Sequence, residues 1–167
     1  MSTSPPSINP RRIQQLMSAD SRACTALLAL LKQEQAALKG RDQSRLETLL
    51  ADKQTYTTAL EEGARQRQLL LQEAGLDTTA AAWRTLLESL DRRYPGIGLS
   101  SAWSALAALF EDCQKHNNIN GKMIARGQQT MSRLLNLLRG QTAAPGLYDR
   151  AGSTSGKGPG THNVVKA

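Results

Sequence analysis

The chain has 167 residues, with 21 Lys and Arg against 14 Asp and Glu, for a formal net charge of +7 at pH 7. That length suits one domain able to bury a core without disulfide or metal staples. Leu and Ala dominate while there is one Phe, three Tyr and two Trp, so the aromatic and β-branched enrichment of sheet proteins is missing and a β-rich fold is excluded.

Residues 1–10, with Pro5, Pro6 and Pro10, read as a disordered lead. The start has no charged n-region followed by an apolar h-region, and the densest apolar stretch, Ala23 to Leu31, is too short and interrupted to span a bilayer. A cytoplasmic location without membrane insertion is expected. A first helix is predicted from Arg11 to Lys39, with Ile13, Met17, Cys24, Leu27, Leu31 and Leu38 on one face, and Gly40 ends it where a left-handed residue belongs. Asp42 is placed to cap a second helix carrying Leu46, Leu49, Leu50, Tyr56, Leu60, Leu70 and Leu71, stopped by Gly75. So short a joint forces an antiparallel hairpin, and the second helix should be about 50 Å long.

Asp77-Thr78-Thr79 opens a short helix with Trp83, Leu86, Leu87 and Leu90 on one side, broken by Tyr94-Pro95-Gly96-Ile97-Gly98. Trp83 and Trp103 flank that turn and read as a plug at one end of a bundle. The final helix is predicted near Ser101 to Arg139, about 58 Å long. The fold expected is all-α: an antiparallel bundle of three long helices and one short one over residues 11–140, followed by a flexible Gly/Ser-rich tail over 141–167.

One face of the final helix steps by three or four residues from Trp103 through Leu106, Phe110, Cys113, Asn117, Asn120, Ile124, Gly127, Met131 and Leu134 to Leu138. A repeat held that long must bury a stripe against other helices. Asn117 and Asn120 inside it are expected to set register or partner choice, so that Leu at either position would raise stability. Leu134, Leu135, Leu137 and Leu138 cover more of the circumference than one seam needs. Either another helix or a second copy covers Leu135 and Leu137, or they form an apolar groove for a partner's amphipathic helix, each buried Leu contributing roughly 1.5–3 kcal/mol. Met123 and Met131 suit a surface that repacks, although gap-filling is the commoner use of Met.

The positive excess is C-terminal: residues 84–167 hold eleven basic against five acidic side chains. Lys115, Lys122, Arg126 and Arg133 recur as a ridge on the face opposite the stripe, with no acid between Asp112 and Asp149. A solvated face explains it most simply, an acidic protein partner next, and nucleic acid last, since no interleaved aromatics or reading module accompany it. Cys24 and Cys113 fit small buried hydrophobes in a reducing compartment. His116 and His162, the two histidines, have no ligand-spaced Cys or carboxylate beside them and are expected to be exposed. Gly152-Ser-Thr-Ser-Gly156-Lys157-Gly158 fails as a phosphate loop on spacing and context. No cofactor and no enzymatic activity are expected.

The hairpin from Leu27 to Asp42 and on through Leu46, Leu49, Lys53 and Leu60 resembles the first two helices of the FlgN-type flagellar export chaperones. Asn117-Asn118-Ile119-Asn120-Gly121 on the last helix, followed by Leu134 to Leu138, is similar too, as are Tyr148-Asp149-Arg150-Ala151-Gly152 and the closing Val164-Val165-Lys166-Ala167. The resemblance covers most of residues 13–167 and matches no motif at 75–100. It implies a cytoplasmic chaperone of the flagellar type III system that holds hook-associated (hook–filament junction) proteins unpolymerised and delivers them to the export gate. It implies as partner-binding residues Asn117, Asn120, Ile124, Met131, Leu134, Leu135, Leu137 and Leu138, with Tyr148 for client or export machinery. The partners implied are the amphipathic C-terminal helices of hook-associated proteins and export-gate components, with no nucleic acid and an open oligomeric state. A self-associating coiled-coil scaffold and a basic nucleic-acid-binding bundle are the rival classes.

Overall fold

The computed structural model describes residues 8–139. Among these, 88% are helical and there is no strand. Four helices follow in order: α1 over Pro10–Gly40, α2 over Gln43–Glu73, α3 over Ala80–Arg93 and α4 over Leu99–Leu138. The all-α bundle expected from composition and periodicity is the one observed. The lead up to residue 7 and the tail from 140 lie outside the described residues. The chain divides into two compact units, one up to Gly127 and one from Gln128 on.

Each helix boundary has a local cause. At α1, Asn9 caps by accepting from the Arg11 N–H at 3.0 Å, and Pro10 occupies the first turn, where no amide donor is needed. Its C-terminus corrects the sequence reading. Gly40 stays helical and the left-handed residue is Arg41, φ 55°. The amides of Arg41 and Asp42 bond back to Leu38 and Ala37 at 3.4 and 3.0 Å, the two bonds of a Schellman end. Asp42 then caps α2 from the next position, accepting from the Arg45 N–H at 3.0 Å. At the end of α2 the expected glycine does take the left-handed position: Gly75 has φ 68°, and Gly75 and Leu76 bond to Gln72 and Leu71, each at 2.9 Å. Within Asp77-Thr78-Thr79 the cap of α3 is Thr79, whose hydroxyl accepts from the Ala82 N–H at 3.1 Å. α4 begins two residues earlier than predicted. Its first amides, Leu99 and Ser100, donate to the two carboxylate oxygens of Asp91 on α3 at 2.8 and 2.9 Å, so a carboxylate from another helix does the work of an N-cap.

In the unit up to Gly127, α1 and α2 are antiparallel: Arg12 meets Glu73, Asp20 meets Arg67 and Glu34 meets Lys53, one number falling as the other rises. α4 runs parallel to α1, with Cys24 beside Cys113 and the Leu31 carbonyl beside Asn120. The core between them is Ile13, Met17, Cys24, Leu27 and Leu31 of α1, Leu70 and Leu71 of α2, Trp83, Leu86, Leu87 and Leu90 of α3, and Leu99, Leu106 and Cys113 of α4. Trp83 and Trp103 pack edge to face, centroids 5.9 Å apart at 73°, near the α3–α4 turn as the sequence suggested. The Arg67 guanidinium lies 5.3 Å from the Trp103 ring centroid, so one side chain of α2 meets both the α1 acid and the α4 aromatic.

Gly63 makes the Asp20–Arg67 pair possible, since a Cβ there would overlap the Asp20 carboxylate. Burial raises the Asp20 pKa above its ordinary value while Arg67 works against that shift. Gly63→Ala should therefore destabilise the protein by about 2–4 kcal/mol despite the better helix former, because it displaces a buried ion pair. Gly121 in α4 has open space around it, and Gly121→Ala should stabilise by about 0.5–1 kcal/mol. Urea unfolding of the two variants, giving shifts of opposite sign, checks this.

Although burial acts to raise it, Asp91 is held below the usual carboxylate range by its bonds from Ser100 and Leu99. A depressed folded pKa contributes stability that is present above the unfolded value, about 3.9, and is lost as pH falls through the folded one. Asp91→Asn should thus lower stability at neutral pH and flatten the acid limb below about pH 4, measured as thermal midpoint against pH.

Candidate functional site

The two asparagines of the α4 stripe have separate fates. Asn120 is 1% exposed, and its Nδ2 donates to the Leu31 carbonyl at 2.8 Å and to Glu34 Oε2 at 2.7 Å. Glu34 is itself buried and accepts from Lys53 Nζ at 3.1 Å through both oxygens. A three-helix polar node results, with α1 giving the acid, α2 the cation and α4 the amide. Asn117 is exposed and belongs to the rim of an adjoining groove. The expectation that Leu at either position raises stability is revised for Asn120: a Leu there would set an apolar side chain against the Glu34 carboxylate. Glu34 and Lys53 were not singled out as its partners, because only the packing of α1 and α2 brings them together.

That groove, about 570 Å³, has Leu27 and Leu31 of α1 as apolar lining, Lys53 and Thr57 of α2, and Phe110, Cys113 and Asn117 of α4. Cys24 and Cys113 are buried free thiols with sulfurs 3.6 Å apart, and Cys113 Sγ also approaches the Cys24 carbonyl at 3.4 Å. Burial, then the contact with Cys113, pushes the Cys24 thiol up to about 12, and burial likewise raises Cys113. Thiolate, the reactive form, is scarce at neutral pH. His116 is half-buried, with its Nδ1 lacking a hydrogen-bond partner among the described atoms, rather than exposed. Among the described residues no group of His, Cys, Asp and Glu could hold a metal ion, and no helix is long and apolar enough to cross a membrane.

A different surface marks the last turns of α4. Met131 is 58% exposed, Leu134 50%, Leu135 43%, Leu137 66% and Leu138 84%, and Ile124, in the preceding unit, is also exposed. Large apolar side chains at this density on one short helical stretch are unusual for a monomer's surface. With 3.6 residues per turn, the arc from Leu137 through Leu134, Leu138 and Met131 to Leu135 spans roughly 160° of the helix. Leu135 and Leu137, whose cover was left open by the sequence, are both exposed among the described residues. Helical spacing sets Lys115, Lys122, Arg126 and Arg133 roughly 165° from the centre of the Trp103–Leu138 stripe, on the face opposite it. All four are exposed. Tyr148 lies outside the described residues.

Asn120→Leu should lower stability by about 1–3 kcal/mol, while Asn117→Leu, on the exposed rim, should change it by less than about 0.5 kcal/mol. Denaturant midpoints of the two single variants separate a packing amide from a rim amide.

In comparisons with known proteins, a family model described as FlgN protein matches residues 9–156. No curated protein and no solved structure matches the chain.

Proposed function

Since the chain belongs to the FlgN family, whose members are flagellar export chaperones, we propose that it binds hook-associated proteins in the cytoplasm, keeps them from assembling early and hands them to the export gate. The observation that carries this reading is the uncovered arc of Met131, Leu134, Leu135, Leu137 and Leu138 at the end of α4. A chaperone of this kind needs no reacting group. It needs an apolar surface that stays open until a client's amphipathic helix lies on it, the helix-in-groove mode. Ile124 and Asn117, in the unit up to Gly127, are assigned to client contact on the family resemblance alone. Asn120 serves it indirectly, since its donors are already engaged by α1 and it acts by holding α4 in register. Tyr148 is assigned to contact with client or export machinery on the strength of the family's tail element alone.

Support for a self-associating scaffold would be burial of the same leucines in a homo-oligomer, and support for a nucleic-acid binder would be steeply salt-dependent binding that follows the ridge. Neither accounts for a leucine arc left open at the end of a long helix as directly as client capture does.

Leu135→Asp and Leu137→Asp should leave helicity and melting nearly unchanged, because these side chains are already in water in the free chain. Capture of hook-associated proteins in a co-purification should fall at least about tenfold, since a charge would be forced into a desolvated contact. Unfolding, or a changed oligomeric state, would instead assign the face to the bundle or to a second copy.

A further inference from the structure

We propose that the segment received by the last turns of α4 is an acidic amphipathic helix, with carboxylates bordering its apolar stripe on both sides. This rests on reading that face as the client surface and adds the chemistry by which a client is chosen.

The borders of the leucine arc carry the inference. Arg133 lies roughly 40° beyond Leu137, and Arg139 roughly 40° beyond Leu135 on the other side. Both are exposed, and no ion pair among the described residues involves either. Elsewhere in the chain exposed or half-buried cations do find acids, as Arg12 does with Glu73 and Arg65 with Glu62. Here none is close in sequence, because no Asp or Glu occurs between Asp112 and Asp149. An apolar seam with cations on both margins has the layout of a coiled-coil interface in which flanking charges choose the partner.

The same charges argue against the other occupants. Two copies packed through this face would set arginine margins against arginine margins, a like-charge arrangement that disfavours self-pairing. A nucleic acid could satisfy the arginines but would leave the leucines against phosphate and water. Only a helix with acids beside an apolar stripe meets both requirements.

The test uses the full chain and two labelled synthetic helical peptides with an identical leucine heptad stripe, one bearing Glu and the other Lys at the positions bordering it. In fluorescence anisotropy at low salt the Glu peptide should bind about tenfold more tightly, as expected for two or more rim ion pairs against repulsion. Ionic strength near 0.5 M should erase most of that preference. The double variant Arg133→Glu/Arg139→Glu, with unchanged melting, should invert it. Equal affinities, preference for the Lys peptide, or binding of neither overturns the proposal. So does a homodimer that Leu134→Asp dissociates, or duplex DNA binding more tightly than the Glu peptide and lost in the double arginine variant. If charge selection fails while Leu135→Asp still abolishes client capture, the acidic partner is wrong and the chaperone reading stands.

Discussion

Two buried acids on α1, Asp20 and Glu34, set the register on which the rest of the bundle depends. They are two heptads apart, and so are their partners on α2, Arg67 and Lys53. Sliding α2 by one heptad along α1 would leave Asp20 facing Leu60 or Ala74 and Glu34 facing Leu46 or Leu60. Each such slip strands an ionised carboxylate against apolar surface, at a cost of several kcal/mol that leucine-on-leucine packing cannot offset. A purely apolar seam between two Leu- and Ala-rich helices would tolerate the slip far better. α4 is tied to the same two points, through Trp103 over Arg67 and through the Asn120 amide on Glu34. Buried ion pairs of this kind fix geometry more than they add stability, and burial raises the Asp20 pKa against the pull of Arg67.

The small elements follow from that frame. α3 supplies Trp83 and its leucines to the core and a carboxylate, Asp91, to the first amides of α4. One side chain therefore closes the turn and neutralises the positive end of the longest helix. Gly63 has a comparable role, as its missing side chain is the space in which the Asp20 carboxylate sits.

A chaperone must keep a sticky surface without letting it collapse on its own chain or its own kind. Within the bundle, polar nodes hold three helices in one register and leave a groove lined by Leu27, Leu31 and Phe110. At the end of α4 the apolar residues are instead concentrated and uncovered, with cations at their margins. The two regions use opposite means. In the first, the acids and cations of the nodes pair with one another, and in the second Arg133 and Arg139 are exposed with no ion pair among the described residues.

Periodicity and punctuation in the sequence were enough to determine four helices, their order, the hairpin and the leucine-rich end of α4, because those depend on interactions between neighbours a few residues apart. Such local rules also explain a small miss. Gly40 is a good capping residue, but Arg41 stands where the chain reverses, and a one-residue shift costs too little to be read from composition. Tertiary structure alone decided the rest. Asn117 and Asn120 are equivalent in a 3-and-4 pattern, yet only Asn120 comes opposite Glu34, whose own position is set by α2. Leu135 and Leu137 were recognisable as surplus to one seam, but whether another helix covered them depended on packing between segments distant in sequence. A helix's own pattern says which side is apolar, and only its neighbours determine how much of that side reaches water.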